Sequence, residues 1–134
     1  MQIVVHDLAQ AMAAAQCAVA EGYALTLRTP PNAGRVLGVG GWLALQNAVA
    51  TALPSANISF CVDCGGHAGD AHAALTFGAR QIALDPSAPG CARIADIAEK
   101  TGAAILDGQA TLDLAFEHDP AQAIRRAFLA TTTT

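Results

Sequence analysis

Charged and aromatic side chains are scarce in this chain. Only 13% of its 134 residues are charged and 4% are aromatic, whereas soluble domains usually carry about 25% charged residues. So few aromatics exclude a broad stacking surface for nucleobases. A basic excess is also missing: seven Lys and Arg stand against eleven Asp and Glu, for a formal net charge of −4. That leaves no electrostatic footprint for nucleic acid, and no such partner is expected. Secretion signals are lacking too. The N-terminal segment has no positive n-region and places Asp7 early. Disulfide frameworks belong to small secreted chains, so Cys17, Cys61, Cys64 and Cys91 are expected to be reduced thiols in a cytoplasmic protein.

The longest uncharged run, Val36–Val62, raises the question of a membrane span. Its first part, Val36–Leu53, is long enough to cross a bilayer. Gln46, Asn47 and Thr51 interrupt it, and Pro54 ends it. Trp42, Leu45, Val49 and Leu53 recur at helical spacing, a pattern that suits an amphipathic helix packed on a sheet. No membrane contact is expected.

What the chain does have is a cadence. Five short apolar segments end on a polar or ionisable residue before a helical pattern begins: Gln2–Asp7, Tyr23–Arg28, Asn57–Asp63, Arg80–Asp85 and Ala103–Asp107. Continuous apolar strands are expected where both sheet faces are covered. Asp7 is placed to cap a first helix that Gly22 stops, with Leu8, Met12, Ala15 and Val19 inward. A second helix spans about Trp42–Leu53. A third runs from an Asp70 cap to Phe77, and a fourth ends near Thr101 with Cys91, Ile94, Ile97 and Ala98 inward. Ala110–Phe116 reads as a short helix. Asp119-Pro120-Ala121-Gln122 opens a last one, with Ile124 and Phe128 inward.

Alternating strands and helices predict an α/β fold with a mainly parallel, five-stranded sheet. A three-layer, doubly wound sheet with helices on both faces is the first arrangement expected. An open half of a (βα) barrel is the alternative. The chain reads as one α/β domain over residues 1–130, with a frayed tail at 131–134.

Parallel sheets gather ligands at the carboxyl ends of their strands. That rim receives Asp7, Arg28, Asp63, Asp85 and Asp107. The densest group of chemically active side chains is Cys61-Val62-Asp63-Cys64-Gly65-Gly66-His67. Asp63, His67 and Cys64 are the catalytic candidates. Arg28, Arg35, Gly65, Gly66, Asp85 and Asp107 are the candidate ligand contacts. Glycines let backbone N–H groups approach a ligand closely, and arginine forks match phosphate and carboxylate. The glycines of Gly38-Val39-Gly40-Gly41 offer a second such loop. No spacing matches a phosphate-binding loop, a dinucleotide fingerprint or a zinc signature. No metal site is expected, and no cofactor is named. Each aspartate also has a structural reading, as a helix cap or turn former.

The function expected is binding or turnover of a small ligand bearing phosphate or carboxylate at the carboxyl edge. The alternative is a non-catalytic oligomerisation or regulatory domain. The stripe Gln10, Ala13, Ala14, Cys17 and Glu21 on the first helix suits close contact with another helix or subunit, so a homodimer is expected.

Overall fold

The computed structural model describes residues 1–132. Its elements are β1 (Gln2–Val4), α1 (Leu8–Glu21), β2 (Leu25–Arg28), α2 (Ala33–Val36), α3 (Val39–Ala52) and β3 (Ile58–Asp63). There follow α4 (Ala68–Thr76), β4 (Gln81–Ala83), α5 (Cys91–Thr101), β5 (Ala104–Ile105), β6 (Leu112–Asp113) and α6 (Pro120–Thr132). The class is α/β, and all pairings in the sheet are parallel. Six strands form it rather than five, in the order β5-β4-β3-β2-β1-β6.

The added strand, β6, lies where a short helix was expected. Leu112 and Leu114 alternate with Asp113, and the segment pairs with β1 through Thr111 N–H to Gln2 O and Leu114 N–H to Val4 O. Tertiary pairing overrides local helical preference over so short a stretch.

From β1 to β5 each strand is the direct neighbour of the one before. Right-handed crossovers taken in one direction keep their helices on one face. Helix contacts accordingly run α6–α1–α3–α4–α5. Ile3, Leu25 and Leu27 share one apolar cluster with α1 and α6. Val62, Ile82 and Leu84 share a second with α4 and α5. Of the two arrangements expected, the winding is that of the open (βα) barrel portion. A cover of helices on both faces would need the strand order to reverse earlier, near the middle of the sheet.

Only residues 106–111 join β5 to β6, which lie at opposite edges. On a flat sheet those edges would stand about 24 Å apart, close to the full reach of so short a link. The link is not extended: Gly108 has φ 86, and its carbonyl accepts from Arg28. The sheet is therefore curled, with the link crossing its inner face. Alternation puts Gln2, Val4, Arg28, Cys61, Asp63 and Ala83 on that face.

Several local expectations are met. Asp7 caps α1 through Gln10 N–H, Gly22 ends it in a left-handed conformation, and Asp119 accepts from Gln122 N–H. Others change. The buried face of α1 is Ala11, Ala14, Ala15, Cys17 and Ala18, while Leu8 and Val19 are exposed. Alpha1 sits between α3 and α6, and close helix contact selects small residues. The stripe with Ala14 and Cys17 is thus covered by α6 of the same chain, with Cys17 Sγ 3.9 Å from Ala121 O. Helix α4 begins at Ala68, so Asp70 lies inside its first turn and is not its cap. Val39, Gly40 and Gly41 belong to the first turn of α3 and do not form a loop.

Helix α6 runs on through Thr132, past the start of the expected tail. The rest of that tail, 133–134, lies outside the described residues. Among the described residues, no helix is long and apolar enough to cross a membrane.

Candidate functional site

Arg28 ends β2, and Asp63 ends the neighbouring β3. Both point to the inner face, where Arg28 Nε and Nη2 donate to Asp63 Oδ2 at 3.2 and 2.9 Å. Arg28 Nη1 donates to Gln2 Oε1 at 2.9 Å and to Gly108 O at 3.1 Å. A guanidinium carries five N–H donors, and four are engaged here. Asp63 Oδ1 accepts from Gly65 N–H at 2.9 Å, and Asp63 N–H donates to Thr29 Oγ1 at 2.8 Å. The two side chains are only 10% and 12% exposed. Buried charges persist when paired and hydrogen-bonded in this way.

The loop after β3 is pinned to β4. Cys64 N–H donates to Ala83 O, and Asp85 N–H donates to Gly65 O at 2.7 Å. Gly65 has φ +57, and a side chain there would run into Asn32 Oδ1. Glycine is required at this position by both backbone and space.

An open cleft of about 310 Å³ lies at this edge, lined by Arg28, Asp63, Gly65, Asp85, Asp107 and Gly108 among others. Five candidates from the sequence are thus brought together. Arg28 is the one formal cation among its lining groups, against Asp63, Asp85 and Asp107. Asp85 Oδ1 accepts from Ser87 N–H and Oγ. Those bonds, the backbone one first, hold its carboxyl below the ordinary value of 3.8.

Four candidates lie elsewhere. Cys64 is 0% exposed and packs in the cluster on the helix side. Burial first, then Asp63, Asp70 and Cys61, push its thiol up to about 12. Cys61 faces the inner side and is also raised to about 12 by burial, which outweighs the lowering by Arg28. Two protonated thiols on opposite faces form no redox pair. His67 faces Arg35, with Nδ1 3.4 Å from Arg35 Nη2. Arg35 Nε is 3.6 Å from Asp70 Oδ2, within ion-pair reach but without a hydrogen bond. Gly66 is exposed. Among the described residues, no group of three or more His, Cys, Asp or Glu side chains is arranged to hold a metal ion.

Sequence reasoning missed Gln2 and the Gly108 carbonyl, which hold Arg28, and Asp113, which lies 2.6 Å from His6 Nε2 at the same rim. The Leu112–Asp113–Leu114 alternation was the one available signal for Asp113. Arg93 and His72 line a separate depression of about 350 Å³ between α4 and α5. No protein-family model matches the chain, and comparison with curated proteins finds no match.

Proposed function

We propose that the chain is a small-molecule binding protein or enzyme whose site is the carboxyl-edge cleft. One observation carries this reading: residues at the ends of four neighbouring strands, Arg28, Asp63, Asp85 and Asp107, line a single cleft. Parallel α/β sheets use that edge for ligands because loop residues from several strands converge there.

The groups left free indicate the ligand. Arg28 and Asp63 are engaged with one another and with the backbone. Asp85 is exposed and Asp107 is exposed, so their carboxylates face the cleft with acceptor capacity to spare. A ligand offering hydroxyl or ammonium hydrogens fits these two acids. The phosphate or carboxylate expected from the sequence has a narrower opening: one remaining N–H of Arg28, and Arg35, whose side chain is 64% exposed on α2.

Amide NMR titrations with sorbitol, putrescine, inorganic phosphate and citrate separate these classes. Shifts at Gly65, Asp85 and Asp107 with sorbitol or putrescine, weakened in Asp107→Asn, support the acidic reading. Shifts with phosphate or citrate that vanish in Arg35→Ala assign the anionic ligand instead. No response in the cleft to any of the four would overturn the site.

A second reading, a self-associating domain, rests on exposed apolar groups at the same rim. Phe116 is 99% exposed on a left-handed backbone with φ 65, and Val36 and Leu37 are also exposed. This replaces the α1 stripe as the proposed contact of a homodimer. Sedimentation equilibrium giving the mass of one 13.6 kDa chain at every concentration would sink it.

A further inference from the structure

We propose that His6 and Asp113 form an acid–base pair, with His6 as the base that takes a proton from water or a substrate hydroxyl and Asp113 as its orienting residue. His6 Nε2 lies 2.6 Å from Asp113 Oδ1. A carboxylate only accepts, so Nε2 carries the hydrogen and Nδ1 is the nitrogen that accepts a proton. Among the described residues Nδ1 has no hydrogen-bond partner, and the His6 side chain is 34% exposed.

Both members of the pair are held in place. Asp113 Oδ1 also accepts from Ala115 N–H at 2.8 Å. His6 N–H donates to Gln10 Oε1 at 2.8 Å, and Gln10 Nε2 donates to Leu114 O at 3.1 Å. One glutamine therefore ties His6, two residues past β1, to Leu114, the residue after β6. A base fixed by an orienting carboxylate, with its second nitrogen open, is the arrangement that general-base catalysis uses.

A purely structural role accounts poorly for the pair. Backbone bonds already join β6 to β1. An ion pair with side chains 34% and 53% exposed adds little stability. The pair also shares the carboxyl edge with the cleft. Val4 is the sheet neighbour of both Arg28 and Asp113, so one strand separates Asp113 from the cleft's Arg28.

The substrate class is a small molecule with an electrophilic carbonyl that water or a hydroxyl attacks. In the hydrolytic form, His6 Nδ1 takes a proton from water as the water oxygen bonds to the carbonyl carbon. The bond to the leaving oxygen then breaks, and that oxygen departs with the electron pair. The proton on His6 passes to solvent. The inference rests on the rim as the working face, but on none of the cleft residues.

Hydrolysis of p-nitrophenyl acetate by the full chain tests it, with melting curves recorded for each variant. His6→Gln should lower the second-order rate constant at least tenfold, within the range that general bases contribute. Asp113→Asn should lower it several-fold at unchanged melting temperature, and His118→Gln should leave it unchanged. If Asp113→Asn melts below the assay temperature, Asp113→Glu reads the same dependence by displacing the carboxylate. A rate indifferent to His6 overturns the proposal. So does a rate that needs His6 but is unaffected at Asp113, because that describes any surface imidazole. The NMR titration of the cleft is read separately, so a failure there leaves this result standing.

Discussion

The ends of β2 and β3 and the ends of β4 and β5 border the same cleft, yet hold their charges in opposite ways. At β2 and β3, Arg28 and Asp63 are buried, paired and bonded to Gln2, Gly65 and Gly108. At β4 and β5, Asp85 and Asp107 stand in solvent. All four follow the same strand-to-loop logic. Position after a strand therefore brings a residue to the rim, while its neighbours decide whether it becomes scaffold or contact. The closed half sets the shape of the cleft, and the open half is available to a ligand.

The sharpest separation of the two halves should appear in thiol chemistry. Cys61 and Cys64 lie in the closed half with thiols raised from 9.0 to about 12. A rise of that size reduces the thiolate at neutral pH roughly a thousandfold, and the thiolate is the nucleophile. Cys91, which opens α5 beyond β4, is partly exposed. Brief iodoacetamide treatment of the folded chain should modify Cys91 and spare Cys61 and Cys64. Equal labelling of all three by mass spectrometry would contradict the closed half as described.

Next in size is the buried pair itself. Arg28→Ala leaves Asp63 without its partner, and removing one member of a buried pair typically costs about 3–5 kcal/mol. Residual exposure places the expected loss near the lower figure. Asp107→Asn, in the open half, should stay within about 0.5 kcal/mol of the parent. Urea denaturation of both variants measures the contrast. Similar losses would erase the distinction between the halves.

The two glycines proposed as ligand contacts divide in the same manner. Gly65→Ala forces a side chain into a left-handed backbone and against Asn32, at a cost of about 1–2 kcal/mol from the backbone alone. A side chain at Gly66 would enter open space, with no heavy atom within 4 Å of its Cβ. Gly66→Ala should be close to neutral in a thermal melt.

The rim was legible in the sequence because each strand ends where an apolar run meets a polar residue. Arg28, Asp63, Asp85 and Asp107 could be placed on one edge without knowing the strand order. Their pairing could not, because adjacency of β2 and β3 is a tertiary fact. Cys64 follows Asp63 directly, so alternation turns it to the helix side, away from the cleft. The buried face of α1 was misread because Leu8 and Val19 are more hydrophobic than alanine. Packing between α3 and α6 rewards small size instead, and buries Ala11, Ala14 and Ala18. Beta6 was missed because two residues carry too little periodicity to outweigh a helical reading.

The smallest effect expected is the titration of Asp85. Ser87 donates to its Oδ1 from backbone N–H and from Oγ, and these bonds favour the ionised carboxylate. The carboxyl is accordingly lowered from 3.8, with the backbone bond as the larger cause. A carboxyl lowered by folding stabilises the fold above its unfolded value, and that contribution is lost as pH falls through the folded value. The window lies below pH 3.8, so the cleft keeps this negative charge through the neutral range. Carbon-detected NMR should give Asp85 a midpoint below 3.8. Ser87→Ala removes the side-chain bond and keeps the backbone one, so the midpoint should return only part of the way. A full return would make the hydroxyl the dominant donor. No change would mean that the backbone turn alone holds the charge facing the cleft.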